Sequence, residues 1–217
     1  GDVNEANYFS YLGFDYEYKK WFINSGLRYE LINHQYTNKL SEPQATNSKT
    51  LEVLLPKFSA KYQATKNFNI FTKLGVGFHS NDSRLVINQN QSNLAKAYSG
   101  DIGVEFKPVK KLLINTAFWM MRSESELVYV GDEGVVEANG ASIRRGIDLG
   151  IAYQLFDPIF ININTNYTHA RYVDEIDNYI PLAASFTTQA SIQLKLKNGI
   201  RASFNTRVMG DRAAIED

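Results

Sequence analysis

The feature that most constrains this chain is alternation. Apolar and polar residues exchange places every second position, in segment after segment, from one end to the other. In Arg144 to Leu155, the residues Ile147, Leu149, Ile151, Tyr153 and Leu155 oppose Gly146, Asp148, Gly150, Ala152 and Gln154. A period of two puts successive side chains on opposite sides of a pleated strand, so the pattern describes a sheet with one apolar and one polar face. A helix would need apolar residues three and four apart.

The same design recurs downstream. Ile159, Ile161, Ile163, Thr165 and Tyr167 alternate with Phe160, Asn162, Asn164, Asn166 and Thr168. Phe186 to Lys195 and Ile200 to Val208 repeat it, as do Phe68 to Phe78 and Tyr98 to Phe106. A row of asparagines cannot be buried dry without partners, so the polar face must meet water or other polar groups. Tyr8 to Lys19, Trp21 to Tyr36, Thr50 to Gln63 and Leu112 to Arg122 bring the expectation to about ten strands.

The connections alternate as well. Lys19-Lys20, Thr65-Lys66-Asn67, Val109-Lys110-Lys111, Asp157-Pro158 and Lys197-Asn198-Gly199 are tight turns. Between them lie long polar loops over Asn33 to Lys49, His79 to Ala97, Ser123 to Ile143 and Tyr172 to Ser185. Short turns at one end and long loops at the other are the two rims of an outer-membrane barrel, and strands of ten residues or so are long enough to cross a bilayer at a tilt. The expected fold class is therefore all-β, an antiparallel up-and-down transmembrane β-barrel segment. The tight turns recur about every 44 residues, a spacing shared with WD40 propellers, but the Gly-His and Trp-Asp dipeptides of those repeats do not occur.

Composition narrows the function classes. The 217 residues are 44% apolar and 21% charged, which is rich enough in burial for a folded chain. Lys plus Arg and Asp plus Glu number 23 each, so no field of one sign recruits nucleic acid. With no cysteine there is no disulfide framework and no thiolate chemistry. Tyr and Phe, at 13 each, are the strongest departure, and both strands and membrane interfaces favour them. No apolar run approaches the eighteen or so residues of a helical span.

The segments Pro56-Lys57, Gly75 to Arg84, Ser125 to Gly134 and Arg144-Arg145-Gly-Ile-Asp148 follow one another in an order that resembles the barrel of TonB-dependent outer-membrane receptors. Tyr8 to Glu30, with Gly26-Leu27-Arg28-Tyr29, is similar to a hairpin nearer the middle of that barrel. The resemblance implies about ten later strands of a twenty-two-strand barrel. Residues 1–217 would then be part of one outer-membrane barrel domain, with a plug domain and final strands belonging to the rest of the protein. It also implies a receptor and transporter, not an enzyme and without a cofactor. Such a receptor takes up an extracellular ligand of siderophore, cobalamin or glycan type by TonB-coupled transport across the outer membrane of a Gram-negative bacterium. The implied partners are the plug, the TonB complex through that plug, outer-membrane lipid and the ligand.

The polar face carries the candidate site. Arg28, Lys57, Lys61, Lys73, Asp101, Glu105, Asp148, Arg201 and Arg207, with Glu30 beside them, are expected to face the lumen, where the resemblance implies contact with the plug. Trp21, Tyr16, Tyr18 and Tyr153 are expected at the membrane interface, joined by Tyr8, Tyr29 and Tyr167. Interior packing in a soluble β-protein used for binding is the competing reading of these rings.

Other chemistry has weaker footing. His34, His79 and His169 lack metal-ligand spacing. Asp132, Glu133, Glu137, Asp174, Glu175 and Asp177 are oxygen donors of the kind calcium takes, or simply solvated loop carboxylates. A complete ten-strand outer-membrane protease would group His79, Asp82, His169 and Asp174 on its loops. Asn81-Asp-Ser83, Asn90-Gln-Ser92 and Asn166-Tyr-Thr168 match glycosylation acceptors by chance in a bacterial barrel.

Overall fold

In a computed structural model, residues 1–40, 43–79, 94–130, 135–173 and 179–212 are described. Ten long strands form one antiparallel sheet: β1 (Asp2–Tyr18), β2 (Trp21–Asn38), β3 (Ala45–Thr65), β4 (Phe68–His79), β5 (Ala95–Phe106), β6 (Leu112–Ser123), β9 (Ser142–Phe156), β10 (Ile159–Tyr172), β11 (Phe186–Lys195) and β12 (Arg201–Met209). They pair in chain order, interrupted only by the two-stranded hairpin β7 (Glu126–Val130) and β8 (Val135–Asn139). Among the described residues β1 pairs only with β2, and β12 only with β11. The two edges do not join, which removes the closed ten-strand barrel that the protease reading needs.

Because opposed residues in a ladder share a face, the register carries the alternation across the whole sheet. One apolar row runs Phe68, Phe106, Ile114, Ile151, Ile163, Ala190 and Thr206. The neighbouring polar row runs Asn69, Glu105, Asn115, Gly150, Asn164, Gln189 and Arg207. Four threonines that fall on the apolar face hide their hydroxyls. Thr72 Oγ1 donates to the Asp101 carbonyl at 2.8 Å, Thr116 Oγ1 to that of Asp148 at 2.9 Å, and Thr165 bonds Thr188 at 3.0 Å.

The apolar face is left bare. Tyr8 is 66% exposed, Leu12 75% and Phe204 68%. The chain shows 14795 Å² of accessible surface, against about 10,000 Å² for a compact protein of its mass. An apolar surface of this extent needs a medium other than water.

Pro56 lies inside β3, opposite Leu27, as the Thr50 to Gln63 segment places it. Gln63 N donates to Lys20 O, so the odd amides of β3 point to β2 and the even ones to β4. Position 56 would have to donate to β4 and, as proline, cannot. The β3–β4 ladder accordingly stops at Lys57 opposite Gly75.

Two loop expectations change. The 33–49 loop shrinks, since β2 and β3 stay paired from Asn33 opposite Thr50 to Asn38 opposite Ala45, with Asn33 bonding Thr50 and Thr37 bonding Thr46 at 2.9 Å each. Polar pairs on both faces carried no alternation to read. The 123–143 loop contains the β7–β8 hairpin, whose five-residue strands are too short for a clear period. Its base is fixed where Glu126 accepts from Ser142 and, at 2.8 Å, from Arg144 Nη2.

At the opposite rim, Lys19 adopts φ 55°, the left-handed conformation that a two-residue hairpin turn demands. Lys111 Nζ donates to Asp157 Oδ1 at 2.8 Å, joining the β5–β6 and β9–β10 turns.

Replacing Ile163 by Arg should cost about 2–4 kcal/mol in a lipid or micelle refolding titration. The same change at Asn164, one residue away on the polar face, should be near neutral; equal costs would contradict the assignment of faces. The Lys111 ammonium holds the Asp157 carboxyl below the ordinary carboxylate range. The pair therefore contributes stability above the unfolded carboxylate's pKa and loses it as pH falls through the depressed folded value. A carboxyl NMR titration should find the Asp157 midpoint low and Lys111→Met should raise it; an unmoved midpoint would refute the contact.

Candidate functional site: the charged face of the sheet

The register places Arg28, Lys57, Lys61, Lys73, Asp101, Glu105, Asp148, Arg201 and Arg207 on one face, as expected from their alternation. This is the face onto which the open grooves of the sheet look. One, of about 450 Å³, is lined by Asp15, Glu17, Asn24, Lys61, Lys73 and Glu105. Another, of about 360 Å³, has Asn162, Asn164, Gln189, Ser191, Asn205 and Arg207 in its wall.

Charge is distributed in stripes along the strands. Lys57, Lys61 and Lys73 make β3 and β4 cationic; Asp101 and Glu105 make this face of β5 anionic; Asp148 shares its face of β9 with Arg144; Arg201 and Arg207 make β12 cationic. The stripes do not neutralise one another. Lys73 stands opposite Asp101 in register, yet its Nζ lies 5.0 Å from the centre of the Phe71 ring, and Lys61 Nζ 5.3 Å from that of Phe22. Asp101 Oδ1 is buried without a hydrogen-bond partner. Among the described residues no ion pair involves Lys57, Lys61, Lys73, Arg201 or Arg207.

Other members of the face are satisfied internally. Asp148 accepts from Trp119 Nε1 at 3.0 Å and from Asn166 Nδ2, and Glu105 accepts from Asn69 Nδ2 at 3.1 Å. Asn166 is thereby part of a strand network, which disposes of the glycosylation match at that position. The other two matches lie outside the described residues.

Towards the loops the face changes character. Arg28 pairs with Glu30, which is 3% exposed, while Asn7 Nδ2 donates to Glu30 at 3.4 Å and the Arg28 guanidinium sits 4.1 Å from the Phe9 ring centre. His34, fully buried, lies 3.5 Å from Glu5. Beside them Ile32, Leu51, Val53, Leu55 and Leu94 form a buried apolar cluster. The expectation of a uniformly wet face fails here, because Leu94 and its neighbours cover this end of β2 and β3.

Two glycines let aromatic rings lie against the wall. A Cβ at Gly103 would come within 2.5 Å of Phe71 Cζ and 2.4 Å of the Thr116 carbonyl oxygen. At Gly146 it would meet Trp119 Cζ2 at 2.6 Å and the Tyr167 carbonyl oxygen at 2.2 Å. Phe71 faces Gly103 and Trp119 faces Gly146 across the ladder, a pairing of ring and glycine visible in the sequence only once the register is known.

On the opposite face, Tyr16, Tyr18, Trp21 and Tyr153 sit at the tight-turn end. Tyr16 and Tyr18 rings are 6.3 Å apart, and Trp21 packs 4.8 Å from Tyr62, with Phe68 6.0 Å from Phe106 further along the rim. Tyr8, Tyr29 and Tyr167 lie nearer the loops, where Tyr29 donates to Glu52 at 2.6 Å.

No catalytic grouping forms among the described residues. His79 faces the charged side of β4 and His169 the apolar side of β10. Asp82 and Asp174 lie outside the described residues, as do the side chains of Asp132, Glu133, Glu137, Glu175 and Asp177. No three His, Asp or Glu among the described residues converge as a metal would require.

The family model described as TonB dependent receptor-like, beta-barrel matches residues 1–211. Solved structures share the fold. The chain is similar to the unliganded ferric citrate transporter FecA, with TM-score 0.72 and 16% identity over 94% of this chain and 32% of that one. The copper transporter OprC gives 0.73 and 14% over 96% and 35%. The siderophore receptor PiuA from Acinetobacter baumannii gives 0.71 and 14% over 94% and 36%. The chain thus spans about a third of the length of these proteins. No curated protein matches it in sequence.

Gly146→Val should displace the Trp119 indole from Asp148 and destabilise the protein by roughly 1–3 kcal/mol. Thermal unfolding followed by tryptophan emission checks this, and an unchanged midpoint and spectrum would contradict the packing described.

Proposed function

This chain belongs to the TonB-dependent receptor β-barrel family, and from that premise we propose that it is part of the barrel wall of a receptor that imports an extracellular ligand across the outer membrane. The observation that carries the proposal is the segregation of an apolar from a charged face across a ten-stranded sheet. The bare apolar face meets lipid hydrocarbon, with Tyr16, Tyr18, Trp21 and Tyr153 at headgroup level on the turn side. The charged face lines the lumen.

In this reading residues 1–217 are one stretch of a larger barrel domain, and the plug of the same protein sits against the lumen. The unpaired charges of Lys57, Lys61, Lys73, Asp101, Arg201 and Arg207 are suited to that contact. A body seated there must bring complementary charge and hydrogen bonds, or leave charges buried at a cost of several kcal/mol each. Reversible polar contacts suit a plug that must yield when TonB pulls. The ligand, of siderophore, cobalamin or glycan type, binds on the loop side.

Uptake by the full-length receptor in its host, measured with labelled ferric siderophores, cobalamin and oligosaccharides, should stop when TonB is deleted. Undiminished uptake without TonB would sink energy coupling. A receptor that stays monodisperse in water without detergent would sink the membrane reading itself.

A further inference from the structure

A formal net charge of +0 hides a separation of charge along the strands. The five tight turns, at 19–20, 66–67, 107–111, 157–158 and 196–200, hold seven lysines and one acid, Asp157. At the other rim, residues 124–141 and 173–185 hold eight acids and neither lysine nor arginine. A lysine in one turn is ordinary solvation. A whole rim of one sign sets up a field that draws anions along its length.

Some of these lysines are engaged. Lys111 Nζ is bonded to Asp157 at 2.8 Å, so the acid of the turns is already taken. Lys20 Nζ donates to the Ala64 carbonyl at 3.0 Å, and Lys19 Nζ lies 5.0 Å from the Tyr18 ring centre. Among the described residues no ion pair involves Lys66, Lys107, Lys110 or Lys197, all of them exposed. The excess is greatest at the β11–β12 turn. There Lys195 stands directly opposite Arg201 in the ladder, a like-charge pair that destabilises the sheet unless an anion joins it. With Lys197 the two border an open groove of about 430 Å³. The turn is stiff: Gly199, at φ 92°, donates to the Leu196 carbonyl at 3.2 Å, and Leu196 N to that of Ile200 at 2.9 Å, which holds the cations in place.

The turns recur at every second strand, about 10 Å apart, so the rim spans an arc of roughly 40 Å. A single small anion would leave most of it unserved. A folded protein needs apolar area at the heart of its contact, and the turns expose only Val109 on one and Leu196 and Ile200 on another. The cations of the turns are all lysine, a hydrated point charge that takes a carboxylate from any direction, where arginine would fix a planar, two-toothed partner. Spaced lysines on a shallow rim therefore suit a long, flexible polymer with carboxylates on each repeat.

We propose that this rim, centred on Lys195, Lys197 and Arg201 and continued by Lys110, Lys107 and Lys66, docks the acidic peptides of the peptidoglycan mesh beneath the outer membrane. The inference rests on the barrel reading, in which the tight turns face the periplasm, and goes beyond it by giving the wall a partner below the lumen.

The test uses the full-length receptor in mild detergent and purified peptidoglycan sacculi, with co-sedimentation as the readout. Wild type is compared with Lys195→Gln/Lys197→Gln, with Lys66→Gln/Lys107→Gln/Lys110→Gln and, as a loop-side control, with Arg122→Gln/Arg145→Gln; Arg201 is left intact because it also faces the plug. Wild type and the control should pellet with sacculi, and less so as salt is raised. Each lysine variant should bind roughly tenfold more weakly. Sacculi whose carboxylates have been amidated should not retain wild type. Equal retention of wild type and both lysine variants overturns the site, as does a loss confined to the loop-side control. Undiminished binding to amidated sacculi overturns the carboxylate assignment. Wild type that ignores sacculi overturns the partner, and its capture by immobilised poly-glutamate would then give the rim to an acidic protein. Heat-modifiable migration in detergent, measured on every sample, separates these outcomes from failure of the membrane reading, in which wild type itself shows no micelle-bound barrel.

Discussion

Every other feature of this structure depends on the antiparallel ladder, because backbone amides and carbonyls in hydrocarbon have no water to turn to. A continuous register is the sheet's answer, and it has a consequence for side chains. Once each strand is locked to the next, a residue's parity decides which medium it meets. Ile163 and Asn164 are neighbours in sequence and face opposite worlds. The exceptions follow the same logic: Pro56 cannot donate, and the β3–β4 ladder ends where its amide would be required.

Four threonines that the register forces onto the apolar side are internally bonded. Thr72 and Thr116 return their hydroxyls to the carbonyls of adjacent strands, and Thr165 bonds Thr188 across the ladder. On the charged side some groups are bonded, as Asp148 and Glu105 are, and others are not. Lys73 and Asp101 face each other without pairing, and the lysines rest along Phe22 and Phe71 with their charges unspent.

Much of this was legible in the residues. The Arg144 to Leu155 and Ile159 to Thr168 alternations gave both strands and faces, and all nine charged residues share one face of the sheet. What escaped had no period to show. The tips of β2 and β3 are polar on both faces, and β7 and β8 are five residues each. The buried patch of Ile32, Leu51, Val53 and Leu55 lies on the side that the lower strands mark as wet, and only the arrival of Leu94 makes it dry. Trp119 was not recognised as a lumen residue, since its place depends on Gly146 lying opposite.

By itself the sequence determined parity, turn length and composition, and these are enough for a two-faced sheet whose rims differ. They act locally, through sterics and the pleat. Partnership was decided by the tertiary structure, because it depends on which strands adjoin. Asp148 finds Trp119 and Asn166, Arg144 finds Glu126, and among the described residues Arg145 and Arg122 form no ion pair. Adjacent residues with one side chain, Arg144 and Arg145, thus end in different environments, one closed in an ion pair and one exposed, because the ladder turns them to opposite sides of the wall.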